Sequence, residues 1–327
     1  MDLIRVVHIT ENPIAGAPIN LCKAQNKWSE GKIHSRHIAM SDRNENRVFD
    51  SDLLTTNPGH EVSIWEAIRG ADILHFHNFY QEQDLFRRYP RLWREALKKK
   101  RVIQIHTQRD IGWMDIEAGL RDPETKKIVI AQYHPRQYPE CEVVQNVVDI
   151  FDERLMPRYI PYSKPRVVYS PSRINAPGWD NKGYNETAPI LQRLVNEGVI
   201  EAEIIFDHPH DHCLKRKQIG NIAIDEVITG SYHLCSLETL SQGLVTIANL
   251  DLLQIQTLCQ VTGSLASELP WVYASQDSLD VILRALTKPD AELERRQAYS
   301  RAWMERYWHP KDVVAKFERI YRDHLNG

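Results

Sequence analysis

The sequence predicts an α/β protein of two consecutive doubly wound units, and three observations lead there. Through residues 3–146, short β-branched runs ending in polar residues alternate with helical stretches, the grammar of a parallel sheet. Between 149 and 165 the alternation lapses into a stretch without clear periodicity, punctuated by Pro157, Pro161 and Pro165, as expected of a linker. It then restarts, and 327 residues exceed the usual size of one hydrophobic core. The expected domains are an N-terminal unit over 1–155 and a C-terminal unit over 160–308, followed by a helix over about 309–327.

The first strand reads over 3–9 and opens into the loop Asn12-Pro13-Ile14-Ala15-Gly16-Ala17-Pro18, which a helix follows from about 20 to the stop at Gly31. A strand over 34–40, a helix over 62–69 ended by Gly70, and the strand 72–77 come next. A basic helix over 84–99 precedes strands at 102–106 and 128–132, and 143–146 makes the last run of this half. Beyond the linker, strands are expected at 166–170, 203–207, 222–227 and 244–248, with helices near 182–196, 211–218 and 233–242. Beyond Pro270-Trp271-Val272-Tyr273 the chain reads as helical, in segments near 278–287, 291–307 and 311–324. In such an architecture the loops at the carboxyl ends of both sheets are the default ligand site.

Composition narrows the function classes. A formal net charge of -3 and a pI near 6.5 give no global basis for binding nucleic acid, so no nucleic-acid partner is expected. The five cysteines are scattered, odd in number and without C-x-x-C pairs, which argues against a disulfide framework or a thiolate zinc site and fits a reducing compartment. No apolar run approaches the ~20 residues that span a bilayer, and the chain leads from Met1 straight into a strand. A cytoplasmic location is expected.

The chemistry concentrates in the second half. Its first strand ends in Ser170-Pro171-Ser172-Arg173 and the next helix opens with Lys182-Gly183, so two cations flank one strand end. A sugar nucleotide leaves its sugar as a diphosphate, and a transferase must stabilise that developing charge with a metal or with fixed cations and helix N-termini. Arg grips two phosphate oxygens through its fork, and Lys supplies a mobile point charge. Further on, a strand enters the turn Gly230-Ser231-Tyr232-His233 and leaves through a helix carrying Glu238. Backbone N–H groups in that turn are suited to phosphate, and Glu238 to a ribose diol. Taken singly, Arg173 and Lys182 read better as loop decoration, and Glu238 as a carboxylate favouring its own helix N-terminus; it is their combination that points to a site.

These residues resemble the glycosyltransferase family 4-like enzymes of GT-B fold, over nearly the whole chain. The resemblance rests on Ser172-Arg173 and Lys182-Gly183, and on the block from Ser236 through Glu238 to Ile247. In the first half it rests on Asp72-Ile73-Leu74-His75-Phe76-His77, on Val102-Ile103-Gln104-Ile105-His106 and on Asn146-Val147-Val148-Asp149. The stretch 301–321 is similar to the family's closing helices, the last of which packs back on the N-terminal domain. The resemblance implies GT-B architecture, two Rossmann-like domains facing a cleft, with acceptor bound by the first and nucleotide sugar by the second. It implies sugar transfer from a nucleotide-diphosphate sugar to a glycan or lipid-linked glycan, with retention of configuration, no required metal and no cofactor, in polysaccharide or glycoconjugate synthesis. Arg173 and Lys182 would hold the diphosphate, Glu238 the ribose, and His106 would reach the donor sugar or acceptor. Gly16, Gly230, Ser231, Tyr232 and His233 complete the expected donor site.

The family's pattern is not kept throughout. Many members place a glutamate eight residues before the one matched by Glu238, where this chain has Gly230, and the Gly-rich loop after the first strand is reduced to Ala15-Gly16-Ala17. The run Asp207-His208-Pro209-His210-Asp211-His212-Cys213 has ligand-type side chains, but adjacent spacing sends them in different directions, so it is assigned to lining the nucleotide end rather than to a metal. His75 and His77 share one face of a strand and receive no catalytic role. The basic, aromatic-interleaved region from Arg87 to Arg101 suits either a solvated helix face or peripheral contact with an anionic membrane on its inner face. No G-x-G-x-x-G follows a strand, which disfavours a nicotinamide-dependent oxidoreductase. A catalytically silent sugar-nucleotide-binding scaffold of the same fold is the alternative.

Overall fold

The computed structural model describes residues 2–11, 14–41, 52–78, 90–109, 116–171, 174–175, 182–288 and 292–327, with the side chain of Trp93 excepted. The chain divides into two compact units, Met1–Val147 with Pro310–Gly327, and Val148–His309.

The first unit opens with β1 (Ile4–Thr10), α1 (Ala17–Trp28), β2 (Ile33–Ala39) and the short β3 (Leu53–Leu54). It continues with α2 (Glu61–Gly70), β4 (Ile73–His77), α3 (Pro90–Ala96), β5 (Lys100–Ile105), α4 (Ile116–Arg121), β6 (Thr125–Ile130) and β7 (Glu142–Val144). All seven strands are parallel, in the order β3-β2-β1-β4-β5-β6-β7. Central strands of such a sheet are covered on both faces, which is why β4 is buried at every position and β1 at all but Arg5. The strand order reverses between β1 and β4, and there the connections leave toward opposite sides and open a crevice at the carboxyl ends.

The second unit runs β8 (Arg166–Tyr169), α5 (Tyr184–Asn196), β9 (Glu201–Ile204), α6 (His210–Lys217), β10 (Ile222–Glu226), α7 (Leu234–Ser241), β11 (Val245–Ala248), α8 (Leu252–Thr262), β12 (Val272–Tyr273), α9 (Leu279–Leu286) and α10 (Leu293–Tyr307). Its five parallel strands are ordered β12-β11-β10-β8-β9, with the switch between β8 and β10. The last helix, α11 (Pro310–Asn326), belongs to the first unit, where Val313, Phe317, Ile320 and Tyr321 are buried. None of the helices among the described residues is long and apolar enough to cross a membrane.

The unit boundary falls at 147/148, earlier than the proline-punctuated stretch. Residues 150–156 are tied into the second unit through their carbonyls: Arg301 donates to Ile150 and Leu155, Gln218 to Glu153 and Met156, and Gln242 to Arg154. Irregular backbone satisfied in this way is part of a domain and not a tether. The first helix starts at Ala17 rather than 20, because Pro18 is preset for a first turn whose N–H groups lack helical partners. Within the basic helix expected over 84–99, the described part is Pro90–Ala96, and Arg87 and Arg88 lie outside the described residues. Helices α4 and α8 were not anticipated, although Asp251, which accepts from Gln254 N at 2.8 Å, and Gly263 at φ 74° bracket α8 with ordinary cap chemistry.

Candidate functional site

At the switch point of the second unit, β8 hands the chain to Lys182 and Gly183, both left-handed at φ 55° and 73°. Gly183 is required there, since a Cβ would lie 2.9 Å from the Ile228 side chain. The Lys182 carbonyl accepts from Tyr169 Oη at 2.8 Å, which fixes the strained turn to the core of β8. Its ammonium lies 3.5 Å from Asp225 Oδ1 at the end of β10. Burial works to lower the lysine's pKa, but Asp225 and the other acidic groups around it together raise it, and the group stays charged. Arg173, the other cation expected here, lies outside the described residues.

Asp225 is fully buried and gathers the site. Its Oδ2 accepts from His233 N at 2.5 Å and from Ser236 Oγ at 2.7 Å, and Trp271 Nε1 donates to the same Ser236 hydroxyl at 2.9 Å. Against the effect of burial, His233 and Lys182 hold its carboxyl well below the usual range. Since His233 is the N-cap residue of α7, one carboxylate joins Lys182 to the start of that helix.

The turn expected to cradle phosphate is partly occupied by the protein itself. Glu226 accepts from Ile228 N at 2.9 Å, Thr229 N at 2.5 Å and Ser231 N at 3.4 Å, so the N–H groups of Ser231 and His233 point at Glu226 and Asp225. Ser231 Oγ donates to Gln254 Oε1, and Tyr232 turns its ring into a cluster with Trp271 and Trp308. Gly230 sits at φ 77°, and a Cβ there would come within 2.8 Å of Asp251 Oδ2. The N-cap of α8 thus puts a carboxylate beside position 230.

Glu238, on α7, is bound on both oxygens. His210 Nε2 meets Oε1 at 2.6 Å, and the buried Lys217 ammonium meets Oε2. Burial acts to raise its pKa, yet Lys217 and then His210 hold it down at about 2. His210 thus works through Glu238. Its neighbours diverge, Asp211 toward Arg154 and Lys215, and His208 toward Arg216, so 207–213 does not converge on one point.

In the first unit, Gly16 caps α1 at φ 78°, preceded by Ile14 and Ala15 at φ 45° and 50°. Three left-handed residues in a row, one of them β-branched, make a strained turn beside the carboxyl end of β1. His106, half-buried just past β5, bonds through Nε2 to His77 Nδ1 at 2.9 Å, and its backbone N–H donates to Asn78 Oδ1. Register places His37, His8 and His75 in one row across β2, β1 and β4, with Thr10 and His77 in the next. Burial drives the pKa of His8 down to about 4 and of His37 and His106 to about 3, and lowers His75 and His77 well below the ordinary value. Ligating nitrogens of His8, His75 and His77 lie within 4.8 Å of one another, the one group among the described residues placed to share a metal ion.

No protein-family model matches the chain, and no curated protein matches its sequence. Solved structures do. An alpha-glucosyltransferase in complex with UDP and a 13-mer DNA superposes with TM-score 0.68 at 8% identity, covering 98% of this chain and 100% of that one. The fold is GT-B. The catalytic domain of starch synthase IV from Arabidopsis thaliana, bound to ADP and acarbose, gives 0.59 at 10% identity over 100% of both chains. Sucrose-phosphate synthase from Thermosynechococcus elongatus gives 0.59 at 10% over 98% and 99%. Within that GT-B frame, the structure brings Lys182, Gly230, Ser231, His233 and Glu238 to the carboxyl edge of the second sheet. It adds Asp225, Glu226, Lys217 and Asp251, to which the sequence reading had assigned no role.

Proposed function

We propose that the chain is a glycosyltransferase that moves a sugar from a nucleotide-diphosphate sugar to a glycan or lipid-linked glycan, with retention of configuration and without a required metal. The observation that carries this is the link made by Asp225, which sets a half-buried, charged Lys182 beside the N-cap of α7 at the switch point of the second sheet. A fixed cation next to a helix N-terminus stabilises the charge that develops on a departing diphosphate. In this reading Arg173 joins Lys182 on the phosphates, Glu238 takes the ribose by exchanging one of its present partners, and His106 meets the donor sugar or the acceptor. Gly16, Gly230, Ser231, Tyr232 and His233 shape the donor site through backbone.

The test is a screen of sugar nucleotides for hydrolysis without acceptor, followed by Lys182→Ala and Arg173→Ala. Each is expected to lower turnover roughly 100-fold or more. Unaltered transfer by both variants sinks the assignment.

A second reading, a catalytically silent sugar-nucleotide-binding scaffold, draws support from the polar groups already satisfied within the site, Glu238 by Lys217 and His210, and the turn by Asp225 and Glu226. Titration with uridine, guanosine and thymidine diphosphates alongside the hydrolysis screen separates the two, since tight binding without turnover favours the scaffold.

We further propose polysaccharide or glycoconjugate synthesis in the cytoplasm, with peripheral contact on the inner face of a membrane. Trp65, Arg69, Arg91, Arg94, Glu95 and Lys98 line an open groove of about 680 Å³ on the first unit, a cationic surface suited to anionic headgroups. Co-sedimentation with anionic vesicles that stays negative, or is unchanged in Arg91→Glu with Arg94→Glu, counts against the contact.

A further inference from the structure

We propose that His77, His8 and Gln25 are positioning residues that fix the tautomer of His106, so that it presents a bare Nδ1 lone pair and recognises a sugar hydroxyl. The proposal rests on the assignment of His106 to the sugar contact made above.

The argument follows the protons along one chain inside the first unit. His106 Nε2 meets His77 Nδ1 at 2.9 Å, His77 Nε2 meets His8 Nδ1 at 3.0 Å, and His8 Nε2 meets Gln25 Oε1 at 2.8 Å. Gln25 Nε2 donates to Tyr321 Oη at 2.9 Å, and Tyr321 Oη meets His75 Nδ1 at 2.7 Å. A carbonyl oxygen only accepts, so His8 must carry its proton on Nε2. Neutral His8 then has a lone pair on Nδ1, and His77 must donate to it from Nε2. Neutral His77 has its lone pair on Nδ1, and His106 must donate to that from Nε2. What remains on His106 is an unprotonated Nδ1, to which no described residue is hydrogen-bonded.

Neutrality of each ring follows from burial without an acidic partner within the chain of contacts, and agrees with the lowered pKa of all three. The polarity of the whole chain is set at Gln25. Its Oε1 also accepts from Ser35 Oγ, and its Nε2 is held by Tyr321 of α11. The phenol, receiving one hydrogen bond from Gln25, gives its own proton to His75 Nδ1, which leaves His75 Nε2 protonated. That atom has no hydrogen-bond partner among the described residues, and neither does Gln104 Oε1. Turning the Gln25 amide over would reverse every proton and leave His106 with Nδ1–H.

A lone pair at Nδ1 accepts and does not donate. The group it meets is then a hydroxyl of the donor sugar or acceptor; a uronate carboxylate at the same place would be repelled. A metal shared by His8, His75 and His77 is incompatible with the chain, because both nitrogens of His8 and both of His77 are already engaged in it and either ring would have to give one up.

The experiment is nitrogen NMR on the full chain labelled at histidine rings, reading the protonation of each ring nitrogen and the scalar couplings across N–H···N bonds. The expected result is Nε2 protonated on His8, His77 and His106, with couplings from His77 Nε2 to His8 Nδ1 and from His106 Nε2 to His77 Nδ1. Protonation of His77 Nδ1, absence of both couplings, or stoichiometric zinc in the purified protein overturns the proposal. Because this readout needs no turnover, the chain can stand while the transferase reading falls, or the reverse.

In an active enzyme, His77→Phe should lower kcat roughly 10-fold with the donor KM unchanged. His77→Asn, whose Oδ1 replaces the Nδ1 acceptor, should recover most of it. Equal kcat in His77→Phe and the unaltered enzyme removes the positioning role.

Discussion

The two switch points solve the same burial problem with opposite electrostatics. In the second unit, Asp225, Lys217 and Glu238 are buried as charges and Lys182 is half-buried, each set against an opposite charge. In the first, the equivalent edge is filled by His8, His37, His75, His77 and His106, held neutral, with His8, His77 and His106 hydrogen-bonded ring to ring, His37 bonded to Thr10 and His75 to Tyr321. Paired charges are rigid donors and acceptors whose state does not change near neutrality. A neutral histidine array keeps proton positions that are set by one amide, and it is vulnerable to acid. The division matches the proposed division of labour, in which a diphosphate demands permanent charge while a sugar hydroxyl demands a neutral acceptor.

Acid gives the largest effect that separates the two. The folded-state pKa of His8, His37, His75 and His77 is depressed, so below about pH 6.5 the unfolded chain takes up protons that the folded one refuses, and stability falls as pH drops toward the folded values. At pH 5 each buried histidine costs on the order of 2 kcal/mol. Glu238 also has a depressed pKa, so its contribution is complete above its ordinary value of 4.5 and is lost only between there and about 2. Hydrogen exchange at pH 7 and pH 5 should show the first unit opening while the second holds. Simultaneous loss of protection in both would break the comparison.

Truncating one ion of a buried pair comes next. Lys217→Met strands the Glu238 carboxylate and should destabilise the second unit by about 3–5 kcal/mol, whereas Lys217→Met combined with Glu238→Gln should recover much of the loss. Calorimetry of the two variants checks this. In the first unit the corresponding change is Tyr321→Phe, which removes the acceptor of Gln25 Nε2 and the donor to His75 Nδ1, at about 1–3 kcal/mol in the same measurement.

What was legible in the sequence was whatever local pattern controls. The alternation of strands and helices, the turn at Lys182-Gly183 and the strand-turn-helix around 230–238 are written in consecutive residues. The partners were not. Gln25 and Tyr321 are 296 positions apart, and Lys217 ends a run, Lys215-Arg216-Lys217, that reads as a solvated helix face until its third member proves buried. Glu238 could be named as a candidate ligand, but not that Lys217 and His210 already bind it. His75 and His77 share a strand face and carry no catalytic signal of their own, and the register that aligns them with His8 and His37 exists only once β1 is placed between β2 and β4. Asp225 and Glu226 were in plain view as an acidic pair at a strand end, and only the folded turn shows that they consume N–H groups expected to face phosphate.

The smallest effect worth measuring compares a left-handed glycine from each unit. Gly31, at φ 78°, has nothing within 4 Å of where a Cβ would stand, so Gly31→Ala should cost only the backbone term, about 1–2 kcal/mol. Gly230 has nearly the same φ, but its Cβ would meet Asp251, whose Oδ1 caps α8 through Gln254 N. Gly230→Ala should therefore exceed Gly31→Ala by about 1 kcal/mol, the typical worth of an N-cap. The excess should vanish when both glycine variants are remade with Asp251→Ala. If it persists there, the carboxylate beside Gly230 is not what the turn is built against.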